Sequence, residues 1–187
     1  MFNAKDRVMI FIDGSNLYHL LKANFNRTNI DLEKLSHKLA GSSGKLIRVY
    51  YYNAIVSKKF EAERFYDQQA FYNSIEAIPY FEMRLGHLVY SGWPQSRPYE
   101  KGTDVMLATD MVAHAFRHNF DTAILVASDN DYLGALQVVK DVGKNIEVVL
   151  VGKDDNASSM PLRKSADDII VADEIYLRDC WQESRND

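Results

Sequence analysis

Two short stretches of this chain share one grammar, and together they restrict the fold more than any other feature. Val8 to Ile12 is an unbroken apolar run that ends abruptly in Asp13-Gly14-Ser15-Asn16, and Ala123 to Ala127 is a second, ending in Ser128-Asp129-Asn130-Asp131. Each run has the length of a strand and is far too short to span a membrane. An apolar run without alternation marks a strand buried on both faces of a parallel sheet. The polar turn after each run and the periodic residues beyond it predict a helix, the first capped by Ser15 or Asn16. Placed as parallel neighbours, the two strands deliver Asp13, Asp129 and Asp131 to their common carboxyl ends, where open α/β sheets build their sites.

The rest of the chain keeps strands and helices alternating. A helix is predicted from Asp31 to Leu39 with Asp31 at its start, and Lys45 to Asn53, rich in β-branched and aromatic residues, reads as a strand. The three tyrosines Tyr50 to Tyr52 suit edge packing or a base-stacking platform. Ser57 to Ile78 is predicted as one long amphipathic helix, with Phe60, Ala70, Phe71, Ile75 and Ile78 among its apolar positions, and Tyr80 to Tyr90 as one strand continuing into an extended or hairpin segment. Ser91 to Gly102 holds two prolines, two glycines and no periodicity, so it reads as a surface loop. A helix from Thr103 to His118, capped by Thr103, buries Val105, Ala108, Met111, Val112, Ala115 and Phe116 in this reading. A helix from Tyr132 to Val142 stopped by Gly143, a strand at Ile146 to Val151 and a polar loop to Ser159 follow. Then come a helical turn at Met160 to Lys164, capped by Ser158 or Ser159, and a strand at Asp168 to Val171. Residues 172–187 form a C-terminal helix or tail. The pattern predicts a single domain over residues 1–187, an α/β three-layer sandwich around a mainly parallel central sheet.

Composition narrows the function. The chain has 22 basic against 26 acidic residues and a formal charge of −4, which argues against a general polyanion binder, because nonspecific nucleic-acid affinity rests on neutralising phosphates. A single cysteine, Cys180, permits no internal disulfide and fits a reducing compartment. The first residues lack the apolar core of a signal peptide, so a cytoplasmic protein without membrane attachment is expected.

The acidic residues carry the chemistry. Any one aspartate at a turn or helix start is commonly structural, since its side chain bonds nearby amides. Here Asp13 and Asp129 end apolar strands, Asp131 shares the second turn, and Asp104 opens a helix after the long loop. Four gathered carboxylates raise one another's pKa and require a counter-charge, which Mg²⁺ or Mn²⁺ supplies to oxygen ligands. Such a site activates water for in-line attack on a phosphodiester. Asn16 and Ser128 beside the cluster, and Lys101 one turn before Asp104, are the candidate substrate contacts. Asp110 lies about 240° around the helix from Asp104, so both cannot point squarely into one site. A ribbon of Lys45, Arg48, Lys58, Lys59, Arg64, Arg84 and Arg97 with Tyr50 to Tyr52, Trp93 and Tyr99 is the candidate surface for single-stranded nucleic acid.

FIDGSNL at 11 to 17, KGTDVMLATDM at 101 to 111 and VASDNDYLGAL at 126 to 136, in this order, resemble the NYN domains of the LabA-like (DUF88) group in the PIN-like nuclease superfamily. The resemblance runs from Val8 to about Val171. It implies a PIN-like sheet with helices on both faces and an acidic Mg²⁺ or Mn²⁺ site acting on RNA. The family's acidic positions fall on Asp13, Asp104, Asp129 and Asp131, with Asn16 and Ser128 as auxiliary polar groups and Asp110 as a further aspartate. The chain departs from the family at the second turn, where Ser128 replaces the usual glycine and Tyr132 the common phenylalanine.

The expected function is therefore a metal-dependent ribonuclease with single-stranded RNA as partner. A non-catalytic RNA-binding or regulatory module is the alternative, and a homodimer is left open. A small-substrate phosphatase fits less well, because that class places two aspartates around one residue at the first strand, whereas Gly14, Ser15 and Asn16 follow Asp13.

Overall fold

The computed structural model describes residues 6–42, 44–152 and 160–182. Its elements run β1 (Asp6–Asp13), α1 (Gly14–Phe25), α2 (Leu32–Ala40), β2 (Gly44–Ile55), α3 (Ala62–Glu76), β3 (Phe81–Val89), β4 (Tyr99–Lys101), α4 (Thr103–Phe116), β5 (Thr122–Val126), α5 (Leu133–Asp141), β6 (Asn145–Val151), α6 (Met160–Ser165), β7 (Asp168–Ala172) and α7 (Glu174–Leu177). The seven strands form one sheet in the order β4-β3-β2-β1-β5-β6-β7, parallel except for the β3/β4 pair. The expected loop over 153–159, with its cap at Ser158 or Ser159, and the tail at 183–187 lie outside the described residues. No helix among the described residues is long and apolar enough to cross a membrane.

β1 sits at the centre because both of its faces are apolar. Val8, Ile10 and Ile12 pack with Leu17 and Leu21 of α1 and Leu35 and Leu39 of α2, while Met9 and Phe11 pack with Leu107 and Met111 of α4 and Leu136 of α5. Helices thus cover both faces, as a buried parallel sheet requires. Truncating a fully buried residue such as Ile10 to alanine costs about 2–5 kcal/mol. Ile12 pairs with Val126, so the two apolar runs are neighbours and leave the sheet at the same end.

Several expectations change. Tyr50, Tyr51 and Tyr52 are buried, with their rings packed into the two cores, so they form no base-stacking platform. The helix expected from Ser57 begins only at Ala62, and it buries Tyr72 and Ile75 while leaving Phe60 and Phe71 exposed. The long loop ends in a three-residue strand, β4, which pairs antiparallel with β3 at the sheet edge. On α4 the buried side is Thr103, Leu107, Met111 and Ala115, and Val105 and Phe116 face outward. The expected basic ribbon is broken. Arg48 and Arg84 are bound to Glu82 and Arg64 to Glu61, while Lys45 pairs in register with Arg7 at the far end of the sheet.

Candidate active site

The carboxyl end of β1 collects polar groups from four places in the chain. Asp13 is the last residue of β1 and only 6% exposed. It is itself the cap of α1, a role expected of Ser15 or Asn16: its Oδ1 accepts a 3.0 Å hydrogen bond from the Asn16 N–H. This leaves Asp13 Oδ2 facing α4 and α5. There the Tyr132 hydroxyl lies 2.9 Å from Asp13 Oδ2 and 2.9 Å from Asp104 Oδ1. Residues separated by 91 and 28 positions along the chain therefore meet around one phenol.

Two details of backbone bring Asp104 there. Gly102 precedes α4 at a φ of 88°, a conformation that favours glycine, and no side chain caps the helix. Thr103, expected as the cap, is instead buried against β3, where a Cβ on Gly86 would press on its Oγ1. The close approach of α4 to β3 sets the first helical turn, and with it Asp104, over the end of β1. At Gly14 the reason for glycine is different: a Cβ would overlap the phenol of Tyr51.

A hydroxyl has one hydrogen, so Tyr132 donates to only one of its two carboxylates. The other contact is a hydrogen bond only when that carboxyl carries a proton. Burial raises the Asp13 pKa most, with the charges of Asp104 and Glu100 adding to it; the bonds from Asn16 and Tyr132 oppose the rise. Burial and the two aspartates together keep the Tyr132 phenol protonated. Glu100, on β4, is thus a third carboxylate that acts on Asp13.

The second turn is joined to the first by a side chain. Asn16 Oδ1 accepts from both the N–H of Ser128, at 3.1 Å, and its hydroxyl, at 3.2 Å. Ser128 takes no left-handed φ, a conformation found among non-glycine residues only at Asn26, Tyr80 and His118 among the described residues. The turn therefore does not need the glycine that Ser128 replaces, and the serine side chain adds a bond. Asp129 caps the single 3-10 turn that follows, its Oδ1 accepting from the Asp131 N–H at 3.0 Å. Asp129 and Asp131 are exposed at the same end of the sheet as Asp13, without a hydrogen bond to it. Lys101, the last residue of β4, is exposed on the edge strand, four strands from β5. Asp110 belongs to a separate cluster, accepting from Tyr52 at 3.0 Å and pairing with Arg84 at 3.4 Å.

Among the described residues no three His, Cys, Asp or Glu side chains stand close enough to enclose a metal. The donors that do meet are oxygen atoms of two carboxylates, without a cationic side chain bonded to either. Mg²⁺ takes one or two carboxylates and fills its remaining positions with water and phosphate, so this pair fits a hard divalent ion. Tyr132 and Glu100 are the residues that the sequence alone did not mark. Tyr132 had one signal, a phenol standing where the resembled family has phenylalanine.

Comparison with known proteins agrees with this architecture. The uncharacterized protein MJ0482 of Methanocaldococcus jannaschii is 27% identical over 173 residues; the match covers 92% of this chain and 58% of that protein. The crystal structure of VPA0982 from Vibrio parahaemolyticus RIMD 2210633, a protein of unknown function, superposes with a TM-score of 0.70 at 19% identity, covering 95% of this chain and 99% of that one. The NYN domain family matches residues 7–174, which span β1 to the start of α7 and so contain every group of the site just described; the chain belongs to this family of PIN-like nuclease domains.

Proposed function

We propose that this domain, as a LabA-like member of its family, is a ribonuclease that uses Mg²⁺ or Mn²⁺ to hydrolyse phosphodiester bonds of single-stranded RNA. The observation that carries the reading is the meeting of Asp13 and Asp104 at Tyr132, with no cationic side chain among the described residues bonded to either. Asp13 and Asp104 would hold the ion, with Asp129 and Asp131 at the same rim as outer carboxylates. When bound, a divalent ion supplies Lewis acidity toward the phosphodiester and makes water a nucleophile at neutral pH.

The chain's own groups do the remaining work. Tyr132 Oη keeps its hydrogen and would orient the carboxylate to which it donates, while Asn16 and Ser128 hold the two turns together. The free N–H groups at the starts of α1 and α4 favour an anion at this rim. Lys101, three residues before Asp104, would meet a phosphate oxygen. The exposure of Asp129 and Asp131 favours a second reading, an RNA-binding module without turnover.

The two readings separate in one assay. Mn²⁺-dependent cleavage of a single-stranded RNA is expected, and it is expected to vanish in Asp13→Asn and Asp104→Asn. RNA binding without cleavage under any divalent ion selects the module. Cleavage indifferent to both substitutions rules out this site.

A further inference from the structure

The carboxylates face α4, yet a concavity at this end of the sheet lies on the other face. A groove of about 970 Å³ runs between α1 and α3, and it begins at Gly14 and Ser15, the two residues that follow Asp13. Its walls carry rings that the core does not use. Tyr18 on α1 is 52% exposed, Phe71 on α3 is 44% exposed, and Trp93 leans in from the loop between β3 and β4. Two of these rings pack on neighbouring aromatic side chains. Phe71 meets Tyr51 edge-on at 6.0 Å, and Trp93 meets Tyr90 edge-on at 5.6 Å. Tyr90 in turn stacks on Phe60 at 4.5 Å and donates a 2.7 Å bond to Glu61.

The charge of the groove says what kind of chemistry it holds. Glu61, Asp67 and Glu100 line it against Arg64 and Arg97, and Arg64 is already bonded to Glu61. Such a lining gives no net positive field, so it does not track a phosphate backbone. Rings held with their faces open suit uncharged, planar groups, and base stacking on aromatic side chains tolerates any base sequence. Arg97, without an ion pair among the described residues, stands on the lining to meet a phosphate.

We infer that the α1/α3 groove is a nucleobase-binding site, in which unpaired bases next to the reacting phosphate stack on Tyr18, Phe71 and Trp93. The inference rests on the ribonuclease reading for its occupant. The strand crosses the end of the sheet at Gly14, with its phosphate by Asp13 on one side and its bases in the groove on the other. A base inside a duplex has its faces covered by its neighbours, so the groove admits only unstacked bases.

The test measures binding of a short fluorescein-labelled oligouridylate by anisotropy, in Ca²⁺ and again in EDTA. Tyr18→Ala and Phe71→Ala are each expected to weaken it about 5- to 150-fold, and Tyr18→Phe and Phe71→Tyr to stay within about twofold of wild type because the ring is kept. Trp93 fluorescence, read in a Trp181→Phe background, is expected to be quenched as RNA is added. Binding unchanged in the double alanine variant, or no quenching at saturation, overturns the groove. Cleavage measured on the same proteins keeps the two claims apart. Mn²⁺-dependent cleavage with binding indifferent to the rings rejects the groove alone, while ring-dependent binding with no cleavage keeps the groove and rejects the nuclease.

Discussion

β1 carries a charged residue near each end, and the two ends are built by opposite rules. Near its start, Arg7 grips Asp121 with Nε at 3.1 Å and Nη2 at 2.8 Å, while its backbone N–H adds a third bond at 2.9 Å. These bonds hold the Asp121 carboxyl down to about 2. Both side chains are more than a third exposed, so solvent screens much of that preference and the pair adds little to stability. At the other end Asp13 is buried and bonds no cationic side chain among the described residues, and its pKa moves the opposite way. An acid that serves the fold brings its partner with it. A buried acid whose pKa is raised is costly to the fold, and such perturbed groups cluster at functional sites.

Asp13→Asn tests the contrast most severely. Cleavage should fall by more than the roughly 10- to 100-fold that supporting groups around a metal cost. Thermal stability in EDTA should nevertheless hold or rise. The raised pKa means that the folded state binds a proton more tightly than the unfolded chain, so wild-type stability falls as pH climbs from the ordinary carboxylate value through the folded one. Above that window an ionised Asp13 is a standing cost, which asparagine removes, and the variant's melting temperature should lose this dependence on pH. A large drop in melting temperature instead would make Asp13 structural in the way Asp121 is.

Tyr132→Phe comes next in size. It removes the hydroxyl that lies between Asp13 and Asp104, and a loss of about 10- to 100-fold in kcat/KM is expected. Its bond to Asp13 is one of the two influences that lower that pKa, so the acid limb of the pH–rate profile should move to higher pH. An unshifted limb would detach the phenol from the chemistry.

Arg7→Ala should have the smallest effect. Melting temperature should fall by about 2–4 °C for each kcal/mol lost, with cleavage unchanged. Because the Asp121 pKa is depressed, the stabilisation is present above the ordinary carboxylate range and disappears as pH falls toward about 2. The gap between wild type and variant should close over that interval.

Much of this architecture was legible in the sequence because it depends on local pattern. The two apolar runs, their parallel pairing and their common exit follow from composition and from the turns behind them, and Asp31 caps α2 as its position before Leu32 suggests. The departures lie where tertiary packing decides. β4 is three residues long with every residue exposed, so it has no periodicity and exists only through its pairing with β3. Val105 and Phe116 fit a helical repeat but fall on the outer side of α4, because close packing of Thr103 against Gly86 fixes the rotation of the helix. The Tyr132 ring is buried in the core, but that its hydroxyl ends between two carboxylates depends on where α4 sets Asp104, 28 residues earlier.

The bond from Ser128 to Asn16 has a mechanical consequence. No hairpin joins β1 to β5, and in-line sliding of two parallel strands is opposed only by what their neighbours happen to be. Asn16 pins the two exits together across 112 residues of chain, where an error would do the most harm. A slip of a single residue reverses which face each side chain meets, and it would swing Asp13 away from Tyr132 toward the helices on the opposite side.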